Sequence, residues 1–184
     1  MDPAAGALLV ASPQLTDPNF HRCVIYLVDH GAKGTLGFII NRPLDVDLRD
    51  IWSEVPAGLA GTRAAAEGGP VERDKGLLLH GNPDLPGAQV MGTASDALSQ
   101  LIVVGGEVDA LAVRFEAGCD ATGPRLFLGH SGWLPGQLDQ EIREGAWIIR
   151  PGRRELLLDI CPVDDLWQMM IDGRVGGLPS PSLN

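Results

Sequence analysis

The four histidines are the first candidates for chemistry, because imidazole is the side chain that most readily exchanges a proton near neutral pH. They are His21, His30, His80 and His130, and no two of them have a metal-ligand spacing such as HExxH or HxH. The sequence therefore predicts no metal site. His30, His80 and His130 each stand at the end of a predicted strand, where two of them could meet. The alternative is that each imidazole caps a turn by bonding to the backbone.

The segment Gly129–Trp133 is close to the nucleophile elbow of hydrolases, which is GxSxG on a strand–turn–helix. Its last position is tryptophan instead of glycine, so the spacing fails and a tight turn is the preferred interpretation. A hydrolase stays open as an alternative, with His130 or His80 as the base. Glu141 or Ser131 would then assist, because general acid–base catalysis requires groups within about 3 Å of each other or one water apart. No catalytic motif is matched.

A second group of residues suits ligand recognition. Gln137 and Glu141 are four residues apart on a predicted helix, so they share one face of it. Trp133 lies four residues before Gln137 and can lean over the same patch. An aromatic ring, an amide and a carboxylate together can stack on a ligand and read its donors and acceptors. The alternative is an exposed polar helix edge closed by an intrahelical hydrogen bond.

Two further segments suit an anion. Pro43 keeps Arg42 out of the α region, and Asn41 tolerates a positive φ. Arg42 is therefore either directed at an anion or exposed on a turn. Gly69 and Pro70 belong to a glycine-rich segment whose backbone N–H groups could face an anion. Neither segment matches the phosphate-binding loop or the dinucleotide-binding motif, so no cofactor is predicted.

Short apolar runs and helical spacings give the elements that must position these residues. Strands are expected at 7–11, 23–29, 35–41, 76–80, 88–91, 101–104, 125–128, 147–149 and 156–160. Helices are expected at 48–55, 108–115, 135–145 and 162–172, with Asp47 as the first N-cap. Hairpins at both ends favour antiparallel or mixed pairing. The pattern predicts an α+β fold: a single compact domain over residues 1–172, with one large mixed β-sheet, about four flanking helices and a disordered tail at 173–184.

Charge and cysteine usage restrict the function classes. The 184 residues include 14 basic and 24 acidic side chains, for a net charge of −10. Surfaces that bind nucleic acids are basic, so direct nucleic-acid binding is disfavoured. No apolar run approaches the roughly 18 residues that suggest a membrane span. The N-terminal residues lack the basic region of a signal peptide, and three cysteines without a CxxC pair fit the reducing cytoplasm.

Several of these segments occur together in a known combination. The opening part holds 6–15, 17–20 and 41–44, the middle part holds 68–71 and 79–80, and the later part holds 129–133 and 136–138 with Glu141. In this combination the chain resembles the AlgH/YqgE family of bacterial proteins over about residues 6–172. The resemblance implies a compact α/β structure with a large mixed sheet. The family is uncharacterised, and some of its members are named as transcriptional regulators without an established mechanism.

Three hypotheses for function follow. The first is a non-catalytic cytoplasmic module that binds a small anionic or polar ligand or a protein partner. The second is the hydrolase described above. The third is a transcription-associated regulator that acts through a partner instead of binding DNA directly. The candidate ligand-binding residues are Asn41, Arg42, Gly69, Pro70, His80, His130, Trp133, Gln137 and Glu141.

Overall fold

The computed structural model describes residues 1–60, 64–92, 101–114, 123–158 and 165–174, which hold nine strands and five helices. The strands are β1 (Ala7–Ala11), β2 (Val24–Gly31), β3 (Gly34–Ile39), β4 (Ala65–Glu67), β5 (Val71–His80), β6 (Ala88–Met91), β7 (Ile102–Gly105), β8 (Arg125–Trp133) and β9 (Trp147–Pro151). The helices are α1 (Leu48–Ile51), α2 (Val108–Arg114), α3 (Gln137–Arg143), α4 (Arg154–Leu158) and α5 (Leu166–Ile171). None of the helices described is long and apolar enough to cross a membrane.

The described strands form one sheet in the order β6-β7-β5-β8-β3-β2-β1-β9, with β4 paired to β8 beside this path. Every pair is antiparallel except β4–β8, which is parallel. The predicted hairpin of β2 and β3 is present, and Gly34 closes it with a φ of +125°. A side chain at Gly34 would lie 2.6 Å from the Trp133 carbonyl oxygen, so the turn requires glycine. The α+β class and the large mixed sheet are confirmed.

Strand β8 connects the two parts of the sheet. Its first half pairs with β5 and β4, with Phe127 opposite Leu77 and Ala66. Its second half pairs with β3, with Ser131 opposite Gly37. The prediction of a turn over Gly129–Trp133 is wrong, because the strand continues through these residues. The glycines of this segment favour a turn when only the local sequence is considered. Hydrogen bonds to β3, which is distant in the sequence, hold the segment in the sheet.

Two clusters of buried side chains form the core. The larger cluster collects the inner residues of β1, β2 and β3 together with Trp133, Trp147 and Trp167. The second cluster contains buried residues of β4 and β5 together with Leu48 and Leu59. Helix α5 packs on β1, where the Trp167 indole N–H donates to the Ala11 carbonyl oxygen at 2.8 Å.

The predicted strand at 156–160 is wrong, because its described residues lie in helix α4. The predicted hairpin with 147–149 is therefore wrong too, since β9 pairs with β1, Ile149 facing Leu9. A run of leucines has no period that separates a strand from a short helix. The contact that holds α4 is long-range: Arg125, buried on β8, donates to the Leu157 carbonyl oxygen at 3.1 Å.

The other helices differ from prediction mainly at their ends. Helix α1 begins after Asp47, whose side chain accepts from the Arg49 N–H as an N-cap. It makes a single turn, because Trp52 is already extended at φ −141°. The predicted end of α2, the start of α5 at residue 162 and most of the predicted tail lie outside the described residues.

Candidate functional site

Glu141 holds the predicted aromatic, amide and carboxylate groups together. Its Oε2 accepts hydrogen bonds from the Trp133 indole N–H at 2.9 Å and from the Trp147 indole N–H at 2.8 Å. Its Oε1 accepts from the Gln137 amide at 2.9 Å, which is the intrahelical bond of the alternative interpretation. The three predicted residues therefore meet, with Trp147 as a fourth member that the sequence analysis missed. In this arrangement the carboxylate orients two indole rings.

Those two indole rings pack against Phe20, which lies in the loop between β1 and β2. The Phe20 ring stacks on Trp133 with a centroid distance of 6.2 Å and meets Trp147 edge-on at 5.5 Å. The two indoles are themselves edge-to-face at 5.9 Å. Such pairs add about 0.5–1.5 kcal/mol each beyond the area they bury. We name residues 17–22 the anchored loop, because Phe20 fixes it from this side.

Asn41 and Arg42 fix the same loop from the other side. The Asn41 amide nitrogen donates to the Arg22 carbonyl oxygen at 2.9 Å, and its oxygen accepts from the Val24 N–H at 2.8 Å. Arg42 donates through Nη1 to the Asn19 carbonyl oxygen at 2.8 Å and through Nη2 to the His21 carbonyl oxygen at 3.2 Å. Two groups of residues that the sequence analysis treated separately therefore converge on one loop.

Three guanidinium groups lie at the anchored loop, and one of them belongs to Arg22 within the loop. Arg42 Nη1 lies 3.4 Å from Glu67 Oε1, and Arg73 Nη2 donates to the Asn19 side-chain oxygen at 2.8 Å. The same Arg73 Nη2 lies 3.8 Å from Glu67 Oε1. Arg22 Nη2 lies 3.4 Å from Asp165 Oδ1. The side chains of Arg22 and Arg73 are 51% and 56% exposed, so their outer N–H groups are accessible to a molecule in solution.

Gly69 packs against the backbone of β8. Its φ is +153°, and a Cβ there would lie 2.3 Å from the carbonyl carbon and oxygen of His130. The buried Ser131 hydroxyl donates to the Gly68 carbonyl oxygen at 3.2 Å, which ties the same two segments together. Pro70 follows, half-buried. This segment therefore joins β4, β5 and β8 through close backbone contact, and its role as an anion site stays a prediction.

The histidines are distributed over separate places. His80 is fully buried, with Nε2 2.7 Å from the Gly105 carbonyl oxygen and Nδ1 accepting from the Asn82 N–H at 3.1 Å, so it bonds to backbone as the alternative predicted. His30 bonds to the Thr35 hydroxyl at 2.7 Å. His130 and Ser131 are neighbours on one strand, and neighbouring side chains on a strand point to opposite faces. Within the described ranges, no three His, Cys, Asp or Glu side chains come together to hold a metal.

A cleft that the sequence analysis missed lies at another part of the sheet. It has a volume of about 700 Å³ and is bordered by residues 1–7, β2, the ends of β6 and β9, and the start of β7. Tyr26 lines it and is 2% exposed. Burial raises the pKa of Tyr26 to about 12, Glu155 adds to this rise and Arg154 opposes it. The one sequence signal was a single tyrosine within the otherwise apolar run 23–28.

Comparison with known proteins gives a consistent result. The family model described as AlgH-like matches residues 8–178. A UPF0301 protein of Streptomyces coelicolor is 42% identical over an alignment of 188 positions, which covers 97% of this chain and 94% of that protein. A UPF0301 protein of Alcanivorax borkumensis is 35% identical over 167 residues, which cover 87% and 83%.

Two solved structures share the fold. The crystal structure of protein DIP2367 from Corynebacterium diphtheriae has a TM-score of 0.66 and 25% identity, over 98% of this chain and 90% of that one. The solution structure of the AlgH protein from Pseudomonas aeruginosa has a TM-score of 0.65 and 27% identity, over 95% and 89%.

Proposed function

This chain belongs to the AlgH-like family, and we propose that within this fold it acts as a non-catalytic binding module that recognises an anionic group, a carboxylate or a phosphate, at the anchored loop. One observation carries the proposal. Arg42 and Arg73 contact a six-residue loop whose backbone is fixed from two sides, and Arg22 belongs to that loop. In a chain with a net charge of −10, three guanidinium groups stand here beside the carboxylates of Asp17, Glu67 and Asp165.

The fixed backbone supports binding, because little conformational entropy is left to lose when a ligand arrives. Arg42 acts as a positioning residue that holds the loop carbonyls. Arg22 and Arg73 act as the contacting residues, since a guanidinium fork matches a carboxylate or phosphate through two parallel hydrogen bonds. Their present carboxylate partners are 3.4 and 3.8 Å away and partly exposed, and such surface pairs contribute at most about 1 kcal/mol. An anion that replaces these carboxylates therefore gives up little interaction free energy.

The positions of the candidate acid–base groups support a role without catalysis. His80 and the Ser131 hydroxyl are buried and bonded to backbone, and the Glu141 carboxylate already accepts three hydrogen bonds. The remaining candidate base, His130, is half-buried and points to the opposite face of β8 from Ser131, so the two do not pair as base and nucleophile. An effect on transcription would then arise through a bound ligand or an acidic partner segment.

The test is a thermal-shift series with inorganic pyrophosphate, citrate and an octaglutamate peptide. A ligand present at about 100 times its dissociation constant stabilises the fold by about 2.7 kcal/mol, which is roughly 5–11 °C for a chain of this size. We expect the shift to disappear in Arg73→Gln and to persist in Arg49→Gln, a control at an exposed arginine on α1.

The three probes separate the possible sources of the anionic group. A shift with pyrophosphate or citrate identifies a free small ligand, and a shift with the peptide alone identifies an acidic protein segment. A melting temperature that no probe changes, or a shift that is equal in Arg73→Gln and the wild type, contradicts the proposal.

A further inference from the structure

The cleft beside β2 is separate from the anchored loop and has the dimensions of a ligand site. Its volume of about 700 Å³ falls within the range of about 300–1,000 Å³ that small-molecule sites occupy. Its lining is mainly apolar, with Val28, Met91 and Ile102 among the side chains that border it. Asp2, a charged residue in the lining, is exposed. The buried part of the cleft therefore favours an uncharged, apolar molecular body.

Tyr26 supplies a hydroxyl group to this mainly apolar lining. Its side chain is almost completely buried, and none of the described residues forms a hydrogen bond with its hydroxyl. A Cβ at Gly6 would lie 3.8 Å from the hydroxyl oxygen, so the Gly6 backbone borders this oxygen. In the described part of the chain, the Tyr26 oxygen is not among the fully buried side-chain polar atoms that lack a hydrogen bond, so it still reaches solvent. A ligand oxygen that replaces water at this hydroxyl contributes about 0.5–1.5 kcal/mol net.

His30 adds a second polar group to the lining. Its Nδ1 is 2.7 Å from the Thr35 hydroxyl, so this contact fixes the orientation of the ring. Apart from the exposed residues 1 and 2, the polar side chains of the lining are thus a phenol and a half-buried imidazole, which orient a ligand by hydrogen bonding instead of by ion pairing.

We propose that this cleft is a binding site for a small, uncharged, mainly apolar molecule that carries one hydrogen-bonding oxygen, and that the Tyr26 hydroxyl recognises that oxygen. The site is independent of the anchored loop, because its lining residues include none of the three arginines at the loop. Binding there therefore neither requires nor excludes the anion recognition proposed above.

The chain contains one tyrosine, which makes the test specific. Protein labelled with 3-fluorotyrosine gives one fluorine-19 NMR signal, and this signal reports on the cleft directly. We would titrate the full chain with phenol and with benzene, which share a ring and differ by one hydroxyl. We expect saturable movement of the signal with both probes and at least about five-fold tighter binding of phenol, a ratio equivalent to about 1 kcal/mol.

Two variants locate the binding. Met91→Trp places a large side chain in the cleft and abolishes the movement, whereas Val90→Trp, its exposed neighbour outside the lining, preserves it. In Tyr26→Phe, binding is measured by thermal shift because the fluorine label is lost. We expect benzene still to bind, and phenol to bind no more tightly than benzene. No saturable movement with either probe, equal affinities for phenol and benzene in the wild type, or unchanged binding in Met91→Trp would each overturn the inference.

Discussion

The Glu141 carboxylate helps to position the anchored loop, although it is joined to the loop only through two tryptophan side chains. It orients the indoles of Trp133 and Trp147, and these in turn hold Phe20 of the anchored loop. The sequence analysis grouped Glu141 with Trp133 and Gln137 by their spacing and allowed for the intrahelical bond between Gln137 and Glu141. It could not predict that Glu141 accepts from two indoles, because Trp147 lies on a separate strand.

Replacing Glu141 by alanine should destabilise the fold markedly. The two indole N–H groups are buried with their rings and would lose their acceptor, so we expect the free energy of unfolding to fall by about 2–4 kcal/mol. Urea denaturation followed by tryptophan fluorescence measures this change. Glu144→Ala is the matched control, since Glu144 is exposed and accepts only from Gln140, and its effect should stay within about 0.5 kcal/mol. Equal effects of the two variants would contradict the role given to Glu141.

Cys23 gives a pH prediction. Burial raises the pKa of its thiol from 9.0 to about 12, with Arg42 opposing this rise. The unfolded chain loses this proton above pH 9 and the folded chain does not, so ionisation favours the unfolded state. The free energy of unfolding should therefore be insensitive to Cys23 below pH 9 and decrease between pH 9 and 12, by up to about 1.4 kcal/mol per pH unit.

Urea denaturation at pH 8, 9.5 and 10.5 tests this dependence in a Cys119→Ser, Cys161→Ser background. The same series with Cys23→Ala added should lose that part of the slope. A slope that is identical with and without Cys23 would show that its thiol does not titrate as described.

At the scale of elements, close backbone contact between 68–69 and β8 makes glycine obligatory. Gly69 and Gly136 both have a positive φ, but a Cβ at Gly69 would meet the His130 backbone at 2.3 Å, whereas a Cβ at Gly136 would meet nothing within 4 Å. Gly136→Ala should thus cost only the left-handed backbone penalty of about 1–2 kcal/mol. Gly69→Ala should cost at least about 2 kcal/mol more, because β8 must move. Equal urea midpoints for the two variants would contradict this account of the contact.

The elements that the sequence predicted well are those whose partners are local. The β2–β3 hairpin and the Asp47 cap follow from residues within a few positions of each other. The errors fall where a distant partner decides: β3 extends β8 through the predicted turn, and Arg125 holds α4 where a strand was predicted. No local pattern contains that information.

At the scale of the whole molecule, β8 makes both core clusters depend on each other. Its first half contributes Phe127 to the larger cluster and Leu126 to the second, so neither cluster is complete without it. We therefore expect cooperative unfolding in one transition. Labelling with 5-fluorotryptophan tests this, because Trp52 packs on the second cluster and Trp167 lies in the larger one. Their fluorine signals should disappear at the same urea concentration, and separate midpoints would indicate two independently folding units.

The candidate site could be predicted from the sequence only in part, for the same reason. Asn41 and Arg42 were predicted as one segment and Trp133 and Glu141 as another, but the loop on which they converge became visible only once the sheet had brought β3, β8 and β9 together. Arg73, which joins the loop through Asn19, gave no sequence signal because it lies in an exposed charged run.

The central claim, that the anchored loop recognises an anionic group, is tested most directly by an amide-resolved NMR titration. Nitrogen-15-labelled protein would be titrated with inorganic pyrophosphate and, in a parallel sample, with octaglutamate. The account predicts saturable shifts in at least one of the two titrations, largest at residues 17–22 and at Arg73, while the amides around Tyr26 stay in place. Shifts centred elsewhere, or spectra unchanged by both probes, would contradict it.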